Sequence, residues 1–134
     1  GGIASAEQVN ALLAMGAAGV SVGTALLTTA ESSACDAHRY YAEFGTACDT
    51  VLTRIYNGRL SRVLRNALVE ALDDWELMTA GYPAQKALMG PLDRCASEVG
   101  RNDLVMLPLG QSAGRSAYRR TVDCVHALFP RRAD

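Results

Sequence analysis

The chain has 134 residues, which is enough for one domain, and it has 49% hydrophobic and 20% charged residues, as globular proteins do. Its 13 basic and 14 acidic residues give a formal net charge of −1, so no strong field attracts nucleic acid or a membrane surface. No apolar run reaches the roughly 20 residues of a membrane helix. We therefore expect neither nucleic acid nor membrane as a partner.

The first segment carries signals for a helix and a strand that are joined by glycine-rich turns. Ser5 and Gln8 form a capping-box pattern, which predicts a helix over about 6–15. The valines at 20 and 22 predict a short buried strand over 20–22, followed by a short helix that begins over 24–27. This order is typical of the second half of a βαβ unit.

Glycines stand on both sides of this predicted helix–strand pair. Gly1 and Gly2 precede the helix, and Gly23 and Thr24 follow the strand. Phosphate binding needs backbone N–H groups that a ligand can approach without a Cβ in the way, and a helix N-terminus adds a favourable dipole. In (β/α)8 barrels, phosphate commonly lies between the loops after strands seven and eight and a short extra helix. The spacing predicts a phosphate site, with two ordinary turns as the alternative.

The rest of the chain is predicted to be mainly helical. An extended segment over 50–56 ends at the turn signal Asn57-Gly58, and Ser61 is the expected N-cap of a helix whose apolar stripe runs to Trp75. Other helices are predicted over 34–44, 84–89, 92–99 and 117–128, the last of them ended by Pro130 and burying Val122, Val125 and Phe129.

The cysteines and histidines lack the spacing of a metal site. The four cysteines form no Cys-x-x-Cys pair, and both histidines are distant from them in sequence, at Cys35, Cys48, Cys95, Cys124, His38 and His126. We expect four reduced thiols in a cytoplasmic protein, and His38 in an exposed polar stretch.

Several motifs of this sequence, in order and spacing, resemble the nitronate monooxygenase family, formerly called 2-nitropropane dioxygenases. The glycine motifs at 1–4, 16–20 and 23–24 resemble the flavin-phosphate end of that family. The segments similar to its later motifs are Thr53-Arg54, Gly58-Arg59, Arg62, Arg65-Asn66, Tyr82-Pro83-Ala84-Gln85, Leu88-Met89-Gly90-Pro91-Leu92 and Gly110-Gln111-Ser112-Ala113-Gly114.

The resemblance implies an α/β fold: the C-terminal part of a TIM (β/α)8 barrel with an inserted helical subdomain, predominantly helical in this chain. It places the end of the barrel over 1–30, the inserted subdomain and loops over 31–114, and a C-terminal helix over 115–134. A whole barrel needs roughly 250 residues, so we expect this chain to be part of a longer flavoenzyme, poorly stable and inactive by itself.

The resemblance also implies FMN as cofactor, and oxidation of alkyl nitronates by O2 to a carbonyl compound and nitrite. Carried over by residue, Gly1, Gly2, Gly23 and Thr24 would hold the FMN phosphate. Gln111 and Gly114 would lie close to the flavin, and Tyr82 would border the substrate pocket. The family's catalytic base is a histidine upstream of the Gly-Gly motif. Neither His38 nor His126 matches it, so no catalytic residue is expected here.

Two alternative functions remain open on the sequence. A flavin-dependent enoyl-acyl-carrier-protein reductase looks similar across the glycine motifs, and a non-enzymatic module that binds a partner through a 61–77 helix would also fit. A homo-oligomer is a further expected partner state, and a stable one would be a signature of the non-enzymatic module. The arginines over 54–65 either bind a second anion, such as a pyridine-nucleotide phosphate, or form structural ion pairs; we favour the ion pairs.

Overall fold

A computed structural model describes residues 1–115 and 118–130. These residues form five α-helices, short 3₁₀ helices and a two-stranded sheet. They divide into two compact units, the first made of residues 1–47 with those from 109 onwards, and the second made of residues 48–108. Each unit has its own apolar core, and the two are described separately below.

The first unit begins with helix α1, Ala6–Ala14, which confirms the predicted capping box. The Ser5 Oγ accepts the Gln8 N–H over 3.4 Å, and the Gln8 Oε1 accepts the Ser5 N–H over 3.2 Å. Because both partners are within one turn, these bonds could be predicted from local sequence alone. The helix buries Val9, which is 1% exposed.

The predicted strand at 20–22 is wrong, because these residues have no strand conformation in the structure. A strand needs a neighbour for its N–H and C=O groups, and none pairs with 20–22 within the described ranges. Val20 and Val22 instead pack, half-buried, on the core of the first unit. Its fully buried members are Ile3, Val9, Ala25, Cys124 and Leu128.

Helix α5, Thr121–Leu128, turns a different face to this core from the one predicted. Cys124 and Leu128, four residues apart, are the buried pair. The face predicted to be buried is instead 37–46% exposed, at Val122, Val125 and Phe129. The predicted start of this helix at Ala117 lies outside the described residues.

Helix α2, Asp36–Phe44, agrees closely with the predicted 34–44 helix. His38, expected to be exposed, is only 8% exposed, because it shares the inner face of α2 with Ala42. Arg39 on the same helix binds the preceding loop through four backbone carbonyls, those of Leu27, Thr29, Ser32 and Ala34.

The second unit is built on an antiparallel hairpin of β1, Thr50–Thr53, and β2, Ser61–Leu64. The extended segment and the turn at 57–58 were predicted, but the helix expected from Ser61 is wrong at its start. Residues 61–64 pair with 50–53 in the register Thr50 to Leu64. On its other side β2 meets the end of the unit, because the Leu64 N–H donates to the Leu107 carbonyl over 2.8 Å and Val63 forms a bridge with Pro108.

Helices α3, Ala67–Leu72, and α4, Ala84–Glu98, complete the second unit, with a 3₁₀ helix over Asp73–Met78 between them. The N-cap of α3 is Asn66, whose side chain accepts the Val69 N–H over 3.1 Å. Helix α4 is one continuous helix with Pro91 inside it, which corrects the predicted break between 89 and 92. The buried core of this unit consists of Ile55, Tyr56, Val63 and Val69.

Three further observations concern the described residues. Among residues 1–115 and 118–130, no helix has the length and apolarity to cross a bilayer. The same residues contain no group of three or more side chains able to hold a metal ion. The cysteines are free thiols, with Cys35, Cys48 and Cys95 exposed and Cys124 buried.

Candidate functional site

Three segments that are distant in sequence meet in the first unit at Gly2, Thr24 and Gly110, which we call the glycine–threonine cluster. The Gly110 N–H donates to the Thr24 Oγ1 over 2.8 Å, joining residues 86 positions apart. A Cβ on Gly110 would stand 3.0 Å from the Thr24 Oγ1 and 3.9 Å from the Gly2 nitrogen. The structure therefore brings two of the residues named from the sequence, Gly2 and Thr24, to one place.

The backbone around this cluster is open on the side where side chains would stand. A Cβ on Gly1, Gly2 or Gly23 would meet no atom within 4 Å, and all three glycines are exposed. Gly2 has a φ of 75°, in the left-handed region that favours glycine. A ligand anion can therefore approach these peptide groups closely.

The donors at this place suit an oxyanion. The 3₁₀ helix Thr24–Leu26 begins at Gly23, whose carbonyl accepts the Leu26 N–H over 2.9 Å. The first N–H groups of any helix have no partner inside it. The Thr24 hydroxyl accepts the Gly110 N–H, while its own hydrogen is donated to no acceptor in the described part of the chain. Such N–H groups and a hydroxyl are the donors that phosphate oxygens require, so the residues fit a phosphate group.

The segment that carries Thr24 is held from the side of α2 and from the end of the chain. The Arg39 Nη1 donates to the Thr29 carbonyl over 2.6 Å, and its Nε donates to the Ala34 carbonyl over 3.1 Å. The Thr28 hydroxyl donates to the Tyr118 carbonyl over 3.1 Å. These hydrogen bonds hold residues 27–34 in place, and this stabilises the turn at Thr24 that precedes them.

The two other residues predicted near a flavin have different surroundings. Gln111 is exposed and directly follows Gly110. Gly114 packs on the C-terminal end of α2, where its N–H donates to the Ala42 carbonyl over 3.0 Å and a Cβ would lie 2.3 Å from the Gly45 oxygen. Its φ of 74° and this close contact both favour a residue without a side chain, so the local structure by itself accounts for glycine at position 114. The cofactor roles of Gln111 and Gly114 stay predictions.

Tyr82, the residue predicted to border a substrate pocket, lines a groove of about 650 Å³ in the second unit. We call it the Tyr82 groove. The Arg59 guanidinium lies 3.7 Å from the centre of the Tyr82 ring, a cation–π distance. The groove also includes the charged side chains of Lys86, Asp93 and Arg94.

A buried amide and a glycine hold the Arg59–Tyr82 pair. Gln85, 5% exposed, donates to the Ile55 carbonyl over 2.5 Å and accepts the Ala80 N–H over 3.1 Å. Gly58 has a φ of 77°, and a Cβ there would lie 2.5 Å from the Ala80 oxygen. The turn before Arg59 and the segment before Tyr82 are thus in direct backbone contact.

Tyr56 lines the groove, and its hydroxyl is hydrogen-bonded to the buried side chain of Asn66. The Asn66 Nδ2 donates to the Tyr56 hydroxyl over 2.8 Å and to the Val105 carbonyl over 2.9 Å. Burial, together with the negative charge of Asp93, raises the pKa of Tyr56 to about 12, against the opposing effect of the Asn66 bond. At neutral pH this phenol is a structural group rather than a base.

Gly110 was not predicted as a site residue, and Arg59 was considered only together with the other arginines over 54–65. Gly110 opens the Gly-Gln-x-Ala-Gly loop, and that loop was the available signal for its close approach. The arginines were expected in ion pairs. Instead, Arg59 covers Tyr82, and the Arg62 Nη1 donates to the Thr50 hydroxyl over 3.0 Å.

Comparison with known proteins gives consistent results. The family model "Nitronate monooxygenase" matches residues 1–128. A probable nitronate monooxygenase from Staphylococcus aureus (strain Newman) is 33% identical over 112 residues, which are 84% of this chain and 32% of that protein.

Solved structures agree with this match. Nitroalkane oxidase from Streptomyces ansochromogenes has a TM-score of 0.84 and 31% identity, over 96% of this chain and 36% of its own. FabK from Thermotoga maritima has a TM-score of 0.73 and 27% identity, and the match covers 96% of this chain and 41% of the FabK chain. The chain thus spans about a third of the length of the curated relatives it matches.

Proposed function

Because this chain belongs to the nitronate monooxygenase family, a family of oxidoreductases, we propose that it contributes the cofactor-phosphate site of an FMN-dependent enzyme. In the proposed reaction the native protein oxidises an alkyl nitronate with O2 to a carbonyl compound and nitrite. The observation that carries the proposal is the Gly110–Thr24 hydrogen bond beside Gly2, because it holds the Thr24 hydroxyl next to the open backbone of Gly2 and leaves the hydroxyl hydrogen for an oxyanion.

We propose the C-terminal part of a (β/α)8 barrel as the fold, with 1–30 ending the barrel, 31–114 inserted and 115–134 closing the chain. The structural similarity to nitroalkane oxidase, with a TM-score of 0.84, supports this assignment.

Each residue of the cluster has a proposed part in holding FMN. The N–H groups beside Gly2 and Gly23 bind phosphate oxygens, the Thr24 hydroxyl donates its free hydrogen to one of them, and Gly1 keeps the approach open. FMN, when bound, would supply the redox chemistry of the reaction. The base is expected before Gly1, so no catalytic residue is assigned within the chain.

The enoyl-acyl-carrier-protein reductase alternative stays our second proposal. We rank the nitronate reaction first because nitroalkane oxidase is the more similar solved structure, with a TM-score of 0.84 against 0.73 for FabK. Reduction of the flavin by NADH in the native protein, without nitrite formation from a nitronate, would reverse this order. A native protein without flavin would favour the binding module, although the 61–77 helix proposed for it begins only at Ala67.

Replacement of Thr24 tests the phosphate site. Thr24→Val keeps the shape but removes both the acceptor for the Gly110 N–H and the free hydroxyl hydrogen. A hydrogen bond to a charged group contributes about 1.5–3 kcal/mol, so we expect FMN binding to weaken about 10- to 100-fold. Thr24→Ser, which keeps the hydroxyl, is the matched control. Flavin fluorescence gives both dissociation constants, and equal values for the two variants would contradict the proposal.

Two broader assignments accompany this proposal. We propose a cytoplasmic location, supported by the three exposed, unpaired thiols of Cys35, Cys48 and Cys95, since reduced thiols persist in reducing compartments. The substrate is proposed to be a small nitronate anion, with O2 as co-substrate. Size-exclusion chromatography of the native protein would test whether it forms a homo-oligomer.

A further inference from the structure

We propose that Arg39 is a positioning residue for the cofactor phosphate, which acts by holding the turn at Thr24 through the loop of residues 27–34. The inference rests on the proposed function, because it takes the glycine–threonine cluster as the place where the phosphate binds. It adds a residue outside that cluster. It also predicts a loss of affinity that depends on the phosphate group of the cofactor and not on its ring.

The half-buried guanidinium of Arg39 binds backbone carbonyls with all three of its nitrogens. Its Nε donates to the Ala34 carbonyl over 3.1 Å, and its Nη2 donates to the Ser32 carbonyl. Its Nη1 donates to the Thr29 carbonyl over 2.6 Å and to the Leu27 carbonyl over 3.4 Å. Arg39 forms no ion pair within residues 1–115 and 118–130. Four carbonyls of one loop thus converge on a single side chain.

Two chains of hydrogen bonds lead from this guanidinium to the turn at Thr24. The Leu27 carbonyl accepts its Nη1, and the Leu27 N–H donates to the Thr24 carbonyl over 3.1 Å. The Thr29 carbonyl accepts the same Nη1, and the Thr29 hydroxyl donates to the Leu26 carbonyl over 2.9 Å. The Leu26 N–H in turn donates to the Gly23 carbonyl over 2.9 Å. Release of the two carbonyls would therefore loosen the backbone that orients the Thr24 hydroxyl.

The same loop has a second attachment on the side of the C-terminal segment. The Thr28 hydroxyl donates to the Tyr118 carbonyl over 3.1 Å and accepts the Tyr118 N–H over 3.2 Å. The Ala30 N–H donates to the Arg119 carbonyl over 2.9 Å. These bonds do not involve Arg39. We therefore expect that its replacement shifts the loop locally, at the turn that carries Thr24, and leaves the first unit folded.

Lysine at position 39 separates this positioning role from a role of the charge alone. Lysine keeps the positive charge, but its donors all lie on one nitrogen, whereas the arginine donors are spread over a planar fork. One ammonium group cannot reach carbonyls that are now bound by three different nitrogens of Arg39. If Arg39 acted only by attracting the phosphate through its charge, Arg39→Lys would retain the affinity for FMN.

FMN and riboflavin are the two probes, because they share the flavin ring and only FMN carries a phosphate. Flavin fluorescence gives both dissociation constants for the native protein after its bound flavin has been removed. We expect Arg39→Lys and Arg39→Gln each to weaken FMN binding about tenfold, the contribution of one well-aligned hydrogen bond to a charged oxygen. Riboflavin binding should not change. Arg101→Lys, an exposed arginine of the second unit, is the matched control and should change neither constant.

Two results would overturn the inference. Full FMN affinity in Arg39→Lys would assign the effect to charge, and an equal loss of FMN and riboflavin binding would assign it to general stability. If the Arg39 variants fail to fold, Thr28→Val removes the other attachment of the loop and should weaken FMN binding alone; any other result would overturn the inference. Thr24→Val separates this failure from failure of the proposed function. If it weakens FMN binding and Arg39→Lys does not, only the inference fails; if neither does, the proposed phosphate site fails as well.

Discussion

Replacing Gly58 by alanine should disrupt the backbone contact beneath the Arg59–Tyr82 pair. An L side chain at the observed φ of 77° costs about 1–2 kcal/mol. The new Cβ would also lie 2.5 Å from the Ala80 oxygen and 2.7 Å from the Tyr82 nitrogen, and backbone atoms cannot rotate away. Overpacking of this kind costs about 1–3 kcal/mol, so we expect a total loss of about 2–5 kcal/mol in the free energy of unfolding.

Gly81→Ala is the control for this substitution, because a Cβ there would meet no atom within 4 Å. We expect it to change the free energy of unfolding by less than about 0.5 kcal/mol. Urea unfolding can be followed by the fluorescence of Trp75, the only tryptophan in the chain, which lies in the same unit. Equal unfolding midpoints for the two variants would refute the argument from backbone contact.

Two further predictions concern a helix cap and a buried phenol. Ser5→Ala removes the acceptor for the Gln8 N–H and should lower the free energy of unfolding, measured in urea, by about 1 kcal/mol. Ser97→Ala, at an exposed position of α4, is the control and should change the free energy of unfolding little. Similar losses for the two variants would argue against a stabilising cap at Ser5. The pKa of Tyr56 is raised from 10 to about 12, so above pH 10 the unfolded chain loses this proton first. The free energy of unfolding should therefore fall between about pH 10 and 12, and this part of the fall should be absent in Tyr56→Phe. An unchanged pH profile in that variant would contradict the assignment.

Elements stabilised by local bonds could be predicted, and elements that depend on distant partners could not. The capping box at Ser5 was predictable because all its bonds lie within one turn. The apolar spacing after Ser61 fits a helix equally well, and only pairing with 50–53 makes 61–64 a strand. The helix begins later, with Asn66 as its N-cap.

At Gly90-Pro91 the local sequence predicts a helix break, but the structure has a continuous helix there. Proline removes the N–H that would bond to the Ala87 carbonyl, yet α4 continues past it. Gln85 and Ala96, near either end of the helix, are both buried. This packing stabilises the helix on both sides of the proline more than one lost hydrogen bond weakens it.

The candidate site could be predicted only in part, because some of its residues meet through contacts between segments that are distant in sequence. Gly2 and Thr24 were identified from their position around one helix and the Gly-Thr motif. Gly110 joins them across 86 residues, and no sequence period reports such a contact. The Arg59–Tyr82 stack likewise depends on the meeting of two loops, so sequence alone favoured ion pairs for the arginines.

The second unit begins and ends on opposite sides of the same strand. Thr50 is in register with Leu64 of β2, and the Leu64 N–H donates to the Leu107 carbonyl. Adjacent strands lie about 4.8 Å apart, so the entry and exit of the unit are separated by about 10 Å. A linker of about three residues can span this distance. We therefore expect that a linker of this length can replace residues 48–108 without stretching the chain that flanks them.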